Sequence, residues 1–70
     1  MQKITLYKKY EDDKLLNGEK ATITTTNGCT VTEWADFKSA GLVMLTRQNY
    51  ACWGFDRVVD VFLARGYVKM

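Results

Sequence analysis

Histidine is absent from the 70 residues, and cysteine occurs only twice, at Cys29 and Cys52. Histidine is the usual general base near neutral pH and the commonest metal ligand, so its absence removes most hydrolase and metalloenzyme readings. No motif gathers carboxylates around a nucleophile. Cys29 and Cys52 have no imidazole to act as a base for a catalytic thiol. The chain reads as non-enzymatic, with no catalytic residues, no metal site and no cofactor. A long apolar run is missing too. The longest, Gly41 to Leu45, is far too short to span a bilayer, and Met1-Gln2-Lys3-Ile4 does not open a signal peptide. The expectation is a complete small cytoplasmic protein with no membrane partner, in which two distant cysteines are free, buried thiols; a Cys29–Cys52 disulfide is the alternative for an exported chain.

No repeat, low-complexity tract or linker interrupts the chain, so residues 1–70 form a single domain. A chain of this length has a radius of gyration of about 11 Å when compact. It buries only about 60% of the surface its unfolded form exposes, which leaves little interior to spare for an active site. The net charge of +2 neither demands a nucleic acid nor excludes one.

Residues 3–10 alternate as a strand, with Ile4 and Leu6 on one side and Thr5 and Tyr7 on the other. Asn17–Gly18 has the composition of a turn. Residues 21–26 form a β-branched strand with Thr22, Thr24 and Thr26 on one face, which is read as an exposed sheet face made of good strand formers. Asn27–Gly28 then reads as a hairpin turn. Thr30 and Glu33 fit a capping box, and Val31, Trp34, Ala35 and Phe37 fall on one side of a short helix that Gly41 ends. Leu42 to Leu45 reads as a central strand buried on both faces, with 50–53 returning as another strand. Residues 56–65 give the strongest helix: Phe55, Val58, Val59, Phe62 and Leu63 share a face, Val61 lies between Arg57 and Arg65, and Gly66 caps the end. Residues 67–68 either supply a last strand or pack back on the core. The predicted fold class is α+β, a small antiparallel sheet of three to five short strands with two helices packed on one face.

Function then rests on binding. Nine aromatic rings are more than so small a core readily encloses, and Tyr, Trp and Arg dominate protein interfaces. The chain is therefore expected to be a protein-binding module of inhibitor or adaptor type, a class frequent among phage and mobile-element products. Its expected contacts are Tyr50, Trp53 and Arg47, joined by Tyr7 and Tyr10, and its partner is another protein or a second copy. The alternative is a nucleic-acid-binding domain. Lys3, Lys8, Lys9 and Arg47 would meet phosphates and Tyr7 and Tyr50 would stack on bases, against the opposing charge of Glu11, Asp12 and Asp13. That acidic run has no calcium-loop spacing and reads as a solvated loop.

Overall fold

The computed structural model describes residues 1–26 and 28–70; the expected turn residue Asn27 lies outside the described residues. Five strands and one helix follow one another in the order β1 (Lys3–Lys9), β2 (Leu16–Thr24), β3 (Thr30–Phe37), β4 (Gly41–Asn49), α1 (Phe55–Ala64) and β5 (Val68–Lys69). Among the described residues the strands form one sheet in the order β4-β3-β2-β1-β5, with every pairing antiparallel.

The sheet has the expected class, but among the described residues there is one helix rather than two. The second expected helix is β3. Side chains alternate across a strand, so Val31, Glu33, Ala35 and Phe37 face α1 while Thr30, Thr32, Trp34 and Asp36 face away. Two ladders, to β2 and to β4, satisfy the backbone, and no isolated short helix offers that. The left-handed glycine was legible, but its element was not. Gly41 has φ 74° and closes the turn of residues 38–40 into β4, making a hairpin where a helix end was expected.

Two further expectations are corrected by the strand order. Leu42 to Leu45 lies on an outer strand, and all nine residues of β4 are exposed. A run of apolar residues does not distinguish a central strand from an uncovered edge. Residues 51–53 form a turn, closed by the Trp53 amide donating to the Tyr50 carbonyl at 3.1 Å. Asn17–Gly18 does not reverse the chain either. It lies in β2, where the register shifts between Leu16 and Gly18. The reversal is made by residues 10–15, where the Asp13 carboxylate accepts from the amides of Leu15 and Leu16 at 2.8 and 2.7 Å. Those two bonds hold the Asp13 carboxyl below its usual pKa range.

The core lies between α1 and the Met1-proximal part of β1 with the facing ends of β2 and β3. Leu6, Ala21, Ile23, Cys29, Val31, Val58, Val59, Phe62 and Tyr67 are buried together. The ring of Tyr67 meets that of Phe62 edge to face, with centroids 5.2 Å apart. Gly66, at φ 98°, turns the chain from the helix into β5. A ten-residue helix is about 15 Å long, whereas the nine residues of β2 extend over about 30 Å. Leu16, Phe37 and Val43 lie beyond the buried cluster, at the far end of the helix-side face. The result is a slab of 37 × 21 × 16 Å with a radius of gyration of 12.4 Å.

Candidate binding surfaces

The ladder registers sort the side chains of the open face, opposite α1, into four rows. The first is Asn49, Thr30, Thr24 and Lys3; the second is Arg47, Thr32, Thr22 and Thr5. Met44, Trp34, Lys20, Tyr7 and Val68 make the third, and Leu42, Asp36, Gly18 and Lys9 the fourth. A shallow depression of about 400 Å³ lies over the first rows, floored by threonines of β2 and β3 and walled by Lys3, Trp34 and Arg47. Arg47 Nε donates to Thr32 Oγ1 at 3.3 Å, and the Lys20 ammonium lies 5.1 Å from the centre of the Trp34 ring.

Charge divides by face. The open face carries Lys3, Lys9, Lys20 and Arg47 against the single carboxylate of Asp36, an excess larger than the +2 of the whole chain. Asp36 accepts from the Tyr7 hydroxyl at 2.8 Å. Partial burial, then that bond, raises the Tyr7 pKa. Among the described residues the one ion pair, Arg65 with Glu33 at 3.8 Å, lies on the helix side.

Alternation also separates residues that sit close in sequence. Tyr7 is on the open face. Tyr10 turns to the other side, where its hydroxyl donates to Glu19, as does that of Tyr67 at 3.2 Å. The hydrogen bond to Glu19, with burial, pushes the Tyr10 pKa up to about 12. Burial, with the same carboxylate, raises that of Tyr67. Lys3 and Lys9 face outward, but Lys8 is on the helix side with its ammonium 5.8 Å from the Tyr10 ring centre. Tyr50 and Trp53 remain neighbours, with ring centroids 6.1 Å apart, and the Arg57 guanidinium stacks 4.6 Å over Trp53. Tyr50 packs against the core and its hydroxyl donates to Gln48 at 2.6 Å, on the helix side, so Arg47 faces away from this pair.

Of the nine rings, Phe62 and Tyr67 are buried, six are half-buried and Trp53 alone is exposed. The large exposed apolar surface is aliphatic. Leu42, Val43, Met44 and Leu45 are 49, 41, 55 and 55% exposed in succession on the outer edge of the sheet. Sequence reasoning missed this edge as a contact surface, and with it Trp34 and Lys20. The sequence signal was weak, since Glu33 and Trp34 interrupt the alternation of residues 30–37, and the margin follows only from the strand order.

Cys29 is buried and Cys52 exposed, both as free thiols, and burial raises the Cys29 pKa. The expectation of two buried thiols therefore holds for Cys29 only. Among the described residues no three histidine, cysteine or carboxylate side chains gather as metal ligands, and no helix is long and apolar enough to cross a membrane. Comparison with known proteins gives no match to a family model, a curated protein or a solved structure.

Proposed function

We propose that the protein is a non-enzymatic protein-binding module that docks through the free edge of β4, with a second copy of the chain as its partner. The supporting observation is the exposure of all nine β4 residues, four consecutive large apolar ones among them. An unpaired strand edge is a template for another strand, and soluble proteins usually blunt it with charge, proline or a covering segment. Here residues 41–46 carry no charge. The one blunting feature is a register shift between Met44 and Thr46 that leaves Leu45 without a β3 partner, and Gly41 to Met44 stay regular. The opposite margin, β5, has two residues and ends in a lysine.

Self-pairing suits this edge. An antiparallel image about Val43 sets Leu42 opposite Met44 and Gly41 opposite Leu45, while Arg47 falls opposite Ser39, so no like charges meet. The two-fold axis through Val43 stands perpendicular to the sheet, because opposed side chains must share a face. Sedimentation over a wide concentration range tests the reading, together with oxidation of Val43→Cys in a Cys52→Ser background. Paired Cα atoms about 4.5–5.5 Å apart are within disulfide reach. A dimer with a Val43 cross-link is expected. A monomer at every concentration that never cross-links at Val43 removes the reading.

A further inference from the structure

We infer that the open face of the sheet is a second, independent binding surface, for a single-stranded nucleic acid. The feature that points there is the sorting of charge and rings by the strand registers. Read along the chain, the cations are scattered and offset by nearby acids. Folded, Lys3, Lys9, Lys20 and Arg47 share one face with a single carboxylate, and that carboxylate is already engaged by Tyr7.

The spacing selects a polymer over a small anion. Lys3 on β1 and Arg47 on β4 are separated by three strand spacings, about 14 Å. One phosphate cannot reach both. A chain of phosphates crossing the depression can, and the threonine hydroxyls on its floor donate hydrogen bonds to phosphate oxygens on the way. Directly beside this field runs the row holding Trp34 and Tyr7, half-buried rings with Met44 at the margin. Bases stack on such rings without regard to sequence, and cations track the backbone, which is the chemistry of single-strand binding. The face is a sheet with no projecting helix or ribbon to enter a duplex groove. The surface differs from the nucleic-acid set read in the sequence. Lys8 and Tyr50 are on the helix side, and Lys20 and Trp34 take their place.

The test is a titration of the full chain with fluorescein-labelled oligothymidylate at low salt. Anisotropy follows binding, and in a Trp53→Phe background indole fluorescence follows Trp34 alone. Binding should quench Trp34 and weaken with salt at a log–log slope of about −2 to −3, the value for three or four phosphates neutralised on a single strand. Arg47→Glu and Lys3→Glu, both exposed, should each weaken binding and flatten that slope, whereas Lys14→Glu, equal in charge change but on the far loop, should not. Trp34→Ala should cost about 5- to 150-fold, the range for one stacked base, and if it fails to fold the quenching signal stands in its place. Absence of binding at low salt overturns the proposal. So does equal weakening by Lys14→Glu and Arg47→Glu, tighter binding of duplex, or binding with no change at Trp34.

Discussion

If the two-fold axis passes through Val43, that residue is its own neighbour across the interface, and one substitution introduces two identical groups face to face. Val43→Lys puts two lysines on Cβ atoms about 5 Å apart, whose flexible stems let the ammonium groups splay to about 6–8 Å. At an effective dielectric constant near 20 their repulsion is about 2–3 kcal/mol, which weakens dimerisation about 30- to 150-fold. Val43→Glu does the same with the opposite sign. The fold should be indifferent, because Val43 is already 41% exposed and surface substitutions change stability by about 0.5 kcal/mol or less. Each variant alone should sediment as a folded monomer. An equimolar mixture should recover the dimer, since Lys now opposes Glu. Sedimentation velocity on the two variants and on the mixture reads this directly, with urea titrations as the control for folding. Two variants that stay dimeric, or a mixture that stays monomeric while the native chain dimerises, would refute the self-pairing about Val43.

Other expectations concern the fold itself. A Cβ on Gly18 would overlap the Lys8 carbonyl oxygen and come within 2.7 Å of the Tyr7 hydroxyl, so Gly18→Ala should cost about 1–3 kcal/mol. A thermal midpoint lowered by less than a few degrees would show that β1 and β2 can part there without penalty. Phe62→Ala removes a buried ring and its edge-to-face contact with Tyr67, about 3–5 kcal/mol. A chain of this size is stable by about 4–10 kcal/mol, so near-ultraviolet circular dichroism of the variant should be largely lost. Tyr7, Tyr10 and Tyr67 all have folded pKa values above the ordinary 10. Their contribution is complete below pH 10 and is lost as pH rises from there through the folded values, about 12 for Tyr10. Urea midpoints should fall above pH 10, and Tyr10→Phe with Tyr67→Phe should flatten that fall.

Much of the fold was legible because its signals are periodic. Alternation set β1, and the apolar stripe of α1 assigned Val58, Val59 and Phe62 to the core and Val61 to the outside. The misassigned segment, residues 30–37, carries both patterns at once. Val31, Ala35 and Phe37 satisfy strand spacing as well as they fit one helical side, and tertiary pairing decided between them. Leu42 to Leu45, whose unbroken apolar run predicts a central strand, pairs on one side only and lies at the margin. Of the contact residues, Lys3, Tyr7 and Lys9 are set apart from Lys8 and Tyr10 by the alternation of residues 3–10, but nothing in linear order joins Arg47 to them or separates it from Tyr50. That separation depends on the registers, which composition does not reveal.

The buried cluster occupies only one end of the helix-side face, and this grades the protection of the sheet from one end to the other. Amides of Ile4, Leu6, Ile23 and Val31 lie beneath buried side chains of α1 and exchange with solvent hydrogen only when the whole molecule opens. The Leu16 amide is held by the Asp13 carboxylate, and those near Phe37 and Leu42 by their ladders. They can be released by fraying of that end while the rest stays native, so the end at which a partner strand would attach is also the end most free to adjust to it.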